Sequence, residues 1–327
     1  MKIELPGFFD LQVNGFASVD FNTPGCTTEQ LNHAIASIMA TGVTQFLPTL
    51  ITSSFDRFAT CARAVLEVAH PAIVGIHMEG PYISPNEGAR GAHPREHVIG
   101  ADLDDFKRRQ QSAGGCIVLV TLAPEVPGAL QLIEYLVDCN IRVAIGHTSA
   151  SPEQIRDAII AGATLSTHLG NGCMQLLPRH PNLIWEQLAA DELFASLIVD
   201  GHHLPPPTVK SMIRAKTPSR TILVTDATAA TGCPPGRFMI GEVQIEASAY
   251  GQVVIPGSPY LAGSALAMHL AIANAVKFTG LPLSEIIPMA STLPAYYMGR
   301  EVSGRVSAEW DAVNYRLSVD TVAINNL

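Results

Sequence analysis

Charge is scarce in this chain. Of its 327 residues only 15% are Asp, Glu, Lys or Arg, against 47% hydrophobic residues. The formal net charge is -9, which excludes a broad nucleic-acid surface while leaving room for a local Arg/His pocket that holds a small phosphorylated molecule. The six cysteines, at positions 26, 61, 116, 139, 173 and 233, form no C-x-x-C pair. Several lie in apolar runs, where a free thiol behaves as a small hydrophobe. A reducing, cytoplasmic compartment is expected from this usage. The opening MKIELPGFFD has no apolar signal core, and no uninterrupted apolar run reaches the ~18 residues of a membrane span. G-x-S-x-G, Walker and G-x-G-x-x-G patterns are also missing, which removes the nucleophile elbow and the common nucleotide cradles. Neither a fixed-period repeat nor a low-complexity linker interrupts the chain.

What the chain does have is a set of short apolar runs that each stop at a reactive residue. Ile117–Glu125 (IVLVTLAPE) ends in Pro124 and an acid; Ile73–Glu79 (IVGIHME) ends in His77 and Glu79. Ile141–His147 and Thr164–His168 each end in a histidine, Leu197–His203 in Asp200, His202 and His203, and Thr221–Asp226 in an aspartate. Runs of this length, apolar on both faces, read as central parallel strands. Between them lie helical stretches with clear starts. Thr27 with Gln30, and Ser151–Pro152 with Gln154, have the form of capping boxes. Helices are expected at about 27–40, 53–69, 102–112, 128–139, 207–215, 262–278 and 282–289. The alternation gives eight strand–helix units, and a (β/α)₈ TIM-type barrel needs about 250 residues. The expected organisation is one barrel over residues 1–303, with a small β-hairpin insertion at about 237–256, and a tail of short strands over 304–327.

In such a barrel the C-terminal strand ends face the active site. A lone histidine at a strand end is usually a packed core or rim residue. Glu125, His147 and His168 close three successive strands, however, and three N/O ligands with an open position make a catalytic divalent-metal site. Asp226 follows the eighth strand, where a carboxylate can take a proton from water and return it to a leaving amine. Glu79 is read as bracing the site or the rim loop. His77 and Glu79 also match the H-x-E of zinc deaminases, a reading discounted because the C-x-x-C partner is lacking.

The segments PGFFDLQVNG, GIHMEGPYISPNEGARGAH, VTLAPE, GHTSA, THLGN, VDGHH, LVTDAT and AGSALAM follow in that order from Pro6 to about Met268. Together they resemble the N-acetylglucosamine-6-phosphate deacetylases of the amidohydrolase superfamily. The resemblance implies metal ligands at Glu125, His147 and His168, a general acid/base at Asp226, and His93 on the reacting carbonyl. It implies substrate contacts at Asn171, Gly172, Arg179 and His203, the last two toward the 6-phosphate. Many relatives carry H-x-H on the first strand, where this chain has Gln12–Val13–Asn14. That departure resembles the single-metal branch, with Gln12 reaching the ion at most through a water. One divalent ion per chain is therefore expected, zinc first, with Fe²⁺, Mn²⁺ and Co²⁺ as other occupants. The short N-terminus implies a reduced or absent β-sandwich domain and, through the apolar surface this leaves, a homodimer. The loop LGNGCM after His168 departs from the family pattern, so a different N-acyl amino sugar, a cyclic amide, or a non-catalytic sugar-phosphate barrel stand as alternatives.

Overall fold

The structure, a computed structural model, describes residues 1–324. Eight parallel strands form the central sheet: Phe8–Val13, Val43–Ile51, Ile76–Glu79, Ile117–Leu122, Arg142–Ile145, Leu165–Ser166, Phe194–Ile198 and Thr221–Val224. They are numbered one to eight below. Each lies beside its sequence neighbours. The barrel closes where strand one meets the end of strand eight. There Asp226 N donates to Gln12 O at 3.0 Å and Asn14 N to Ala227 O at 2.8 Å. Strand two shows why the sheet is central: all nine of its residues are buried, because the barrel interior covers one face and the helices the other.

Local signals set the helix starts. Both expected capping boxes are formed, at Thr27 for the helix Thr28–Met39 and at Ser151 for Pro152–Ala161. Asp102 caps Leu103–Ser112 by accepting from the Asp104 and Asp105 amides. One expected helix starts late, at Met268 instead of 262. The AGSAL stretch is drawn into pairing beside strand eight. Ser264 N donates to Asp226 O at 2.8 Å and Thr228 N to Ser264 O at 3.0 Å, and these tertiary bonds outweigh local helix propensity.

Two three-stranded sheets flank the barrel. The insertion after strand eight has three antiparallel strands, Gly236–Ile240, Val243–Ala247 and Val253–Val254. The other sheet joins the chain ends: Lys2–Pro6 pairs with Arg305–Asp311, which pairs with Arg316–Ala323. Backbone pairing thus links the expected 304–327 tail to the extreme N-terminus; residues 325–327 of that tail lie outside the described residues. Among the described residues no helix is long and apolar enough to cross a membrane.

Candidate metal centre

The strand ends of the barrel converge on one cluster: Glu79, His147 and His168, all buried. Glu79 is the last residue of strand three. His147 and His168 stand two residues beyond strands five and six. The Glu79 Oε1 atom lies 3.2 Å from His147 Nε2 and 3.1 Å from His168 Nε2, and the two nitrogens are 3.1 Å apart.

This arrangement corrects one expected ligand. Glu125 does not join the histidines. The chain turns just past strand four, with Val126 N donating to Ala123 O, and the turn carries the Glu125 carboxylate to the neighbouring loop. There it accepts from Thr148 Oγ1 at 2.5 Å, Ser149 N at 2.6 Å and Ser149 Oγ at 3.1 Å. Glu125 is the brace that holds the loop following His147, and Glu79 takes the place expected of it. Both acids end apolar runs, but Pro124 just before Glu125 marks a strand that has already stopped, whereas Glu79 is still inside its strand.

The three converging atoms fit a divalent cation. Each can offer a lone pair, and ligands about 2.0–2.1 Å from a tetrahedral ion stand about 3.3 Å from one another, close to the separations seen. Burial opposes the Glu79 charge, but hydrogen bonds from His147 and His168 keep its carboxyl well below the usual range. Burial likewise disfavours the His168 imidazolium, and the Glu79 carboxylate outweighs it and raises that pKa.

The supports around the cluster are specific. His147 Nδ1 meets Ala89 O at 3.1 Å, which leaves Nε2 for the cluster. A Cβ added at Gly172 would lie 2.9 Å from His147 Nδ1, and φ there is +57°, so only glycine lets the loop after strand six close on the ring. Gln12 Nε2 donates to Glu79 Oε1 at 2.9 Å; the strand-one amide orients the carboxylate. His147, His168 and Asp226 all have positive φ, at 49°, 32° and 51°. Non-glycine residues rarely adopt this conformation, and it recurs where a functional side chain must be aimed.

Asp226 is buried beside the cluster and accepts from Asn14 Nδ2 at 2.7 Å. Burial first, and the Glu79 charge next, raise its pKa to about 6. His93 touches Thr52 Oγ1 through Nδ1 at 2.8 Å, and its Nε2 is 3.9 Å from Glu79 Oε2. Burial holds its pKa well below the ordinary value, so the ring is neutral. His77 belongs to a layer within the barrel, bonded to Leu11 O at 3.0 Å and Thr121 Oγ1 at 2.7 Å.

A cavity of about 450 Å³ opens over these groups. Glu79, His93, His147, His168 and Asp226 line it, as do Asn171, Gly172 and His203. His203 Nδ1 meets Asp200 Oδ2 at 2.7 Å. Arg179 is the exception among the expected contacts. It is exposed on the loop after strand six and does not line the cavity. The apolar wall made by Ile51 and Ile240 is a feature sequence reasoning missed. Alternation in the insertion pointed to strands, but not to where they would dock.

An amidohydrolase-family pattern matches residues 3–313. The N-acetylglucosamine-6-phosphate deacetylase of Lysinibacillus sphaericus is 32% identical over 316 residues, which cover 95% of this chain and 80% of that protein. The N-acetylgalactosamine-6-phosphate deacetylase of Escherichia coli O157:H7 is 33% identical over 302 residues, covering 90% and 78%. Among solved structures, a mutant N-acetyl-D-glucosamine-6-phosphate deacetylase from Mycobacterium smegmatis, in complex with N-acetyl-D-glucosamine-6-phosphate, superposes with a TM-score of 0.91. It is 29% identical, and the match covers 99% of this chain and 86% of that one.

Proposed function

We propose, for a chain that belongs to the amidohydrolase family and to its N-acetylglucosamine-6-phosphate deacetylase group, that it hydrolyses the N-acetyl group of an N-acetylhexosamine 6-phosphate. The products are acetate and the amino sugar phosphate. The observation that carries this reading is the meeting of Glu79, His147, His168 and Asp226 in one cavity. Binding alone would need no proton-transferring carboxylate beside a metal-ligand set.

Glu79, His147 and His168 would hold the divalent ion, for which we propose zinc at one per chain. When bound, such an ion polarises the acyl carbonyl and makes water more acidic. The chain's own groups perform the remaining tasks. Asp226, oriented by Asn14, accepts a proton from the attacking water as oxygen bonds to the acyl carbon. It then returns that proton to the amine nitrogen as the C–N bond breaks. Neutral His93, held through Nδ1 by the Thr52 hydroxyl, turns Nε2 to the reacting group and, in the tautomer protonated there, donates to the carbonyl oxygen as negative charge develops. Asn171, Gly172 and His203 bind the sugar end. Among the described residues no Arg or Lys lines the cavity. Arg179 therefore serves the phosphate best from a second copy of the chain, and exposed Leu176 and Trp185 on either side of it supply apolar surface for a homodimer.

The names of the relatives divide between the gluco and galacto epimers. Acetate release from N-acetylglucosamine and N-acetylgalactosamine, each with and without 6-phosphate, on metal-quantified protein tests the reading. Turnover of a phosphorylated sugar is expected. Preference for the unphosphorylated forms, or no acetate from any of the four, would defeat it.

A further inference from the structure

Ile51, Ile240 and Ala262 line the cavity and belong to one apolar cluster. Ile51 closes strand two directly opposite Glu79 in the parallel ladder. Residues in register on neighbouring strands share a face, so the Ile51 side chain rises beside the carboxylate of the cluster. The next residue, Thr52, holds His93. Ile240 reaches the same cavity from the tip of the insertion and shares an apolar cluster with Ile51 and Ala262.

That tip is fastened down. Gly241 N donates to Asp20 Oδ2 at 2.7 Å. Glu242 binds Arg57 Nη2 at 3.1 Å through one oxygen and His97 Nε2 at 2.9 Å through the other. A Cβ added at Gly241 would stand 3.7 Å from Ile51 Cδ1. Three separate elements thus hold the turn against the end of strand two. Such anchoring makes a fixed wall, where a free hairpin tip would swing.

We propose that Ile51 and Ile240 form an acyl-chain stop, which receives the methyl of the acetyl group and excludes longer N-acyl chains. The inference rests on the deacetylase reading above. The acyl carbonyl has to lie between His93 and the cluster. The polar lining, Asn171 and His203, suits the sugar, and the apolar wall beside Glu79 suits the methyl.

The test is kcat/KM for the N-acetyl, N-propionyl and N-butyryl forms of glucosamine 6-phosphate, or of galactosamine 6-phosphate where that epimer is the substrate. One methylene against a close-fitting apolar wall changes kcat/KM by about 10- to 200-fold. The wild type should lose at least about tenfold from acetyl to propionyl. Ile51→Ala and Ile240→Ala should each raise the propionyl-to-acetyl ratio by about tenfold. A ratio taken on one preparation is independent of the folded fraction. Should either alanine variant fail to fold, Ile51→Val or Ile240→Val is expected to move the ratio the same way by a smaller factor. An unchanged ratio in folded variants of an enzyme that releases acetate overturns this inference alone. A wild type that releases no acetate overturns the deacetylase reading and this inference with it.

Discussion

Glu79 and Glu125 are both acids at the ends of apolar runs, but their surroundings assign them different work. Glu79 faces two imidazole nitrogens through one oxygen, whereas Glu125 ties down the Thr148–Ser149 backbone. Glu79→Gln removes a ligand charge and should bring metal content well below the one ion per chain expected for wild type, as measured by elemental analysis. Glu125→Gln should keep the ion and cost about 1–3 kcal/mol of stability in denaturant unfolding, because a multiply bonded acceptor is weakened. The reverse pattern of metal loss would restore Glu125 as the ligand. Asp226→Asn keeps size but cannot transfer a proton. Turnover should drop about 10²–10⁴-fold with metal retained. The pH profile carries the same assignment. In the proposed role Asp226 acts as the carboxylate, so activity is expected to fall as pH drops through its pKa. Burial and the Glu79 charge place that pKa at about 6, and a bound cation opposes both. The acid limb of kcat/KM should therefore lie at or below about 6; a limb well above this would assign the proton transfer to another group.

At the scale of elements, loops and small sheets outside the eight strands give the site its closure. The loop after strand three brings Ala89 to His147 and carries His93, and the loop after strand six folds over the same ring through Gly172. The insertion adds the apolar wall. The N-terminal strand Lys2–Pro6 stands apart from this work. It pairs along Arg305–Asp311, the strand whose Val306, Ala308 and Trp310 are buried in the main core. Deleting residues 1–6 should uncover that edge and lower the melting temperature in calorimetry, while metal content per folded chain stays at its wild-type value. Loss of metal in the truncated protein would show that the small sheet is coupled to the barrel mouth.

For the whole molecule, the cluster of Glu79, His147 and His168 is the point at which the ends of strands three, five and six are drawn together. An ion bound only by the folded chain stabilises it in proportion to the logarithm of its concentration over Kd, about 4 kcal/mol at a thousandfold excess. Chelator-treated protein should therefore melt at lower temperature, and stoichiometric zinc should restore the wild-type value in a thermal-shift scan. Identical melting with and without the ion would mean that Glu79, His147 and His168 do not bind it in the native state.

Much of this design is local and so can be read along the chain. A parallel strand buried on both faces must be apolar throughout, and a capping residue satisfies amides only a few positions away. The eight runs, the capping boxes and the places of His147, His168 and Asp226 at the ends of strands are visible for that reason. Pro124 marks where strand four stops, but the tertiary structure decided which acid meets the histidines, because Glu125 is drawn to the Thr148–Ser149 loop and Glu79 is not. It also decided that the AGSAL stretch pairs beside strand eight instead of starting a helix, that the two chain ends share a sheet, and that Ile240 reaches the cavity. Each of these is a contact between segments far apart in sequence, where no local periodicity or cap records the partner.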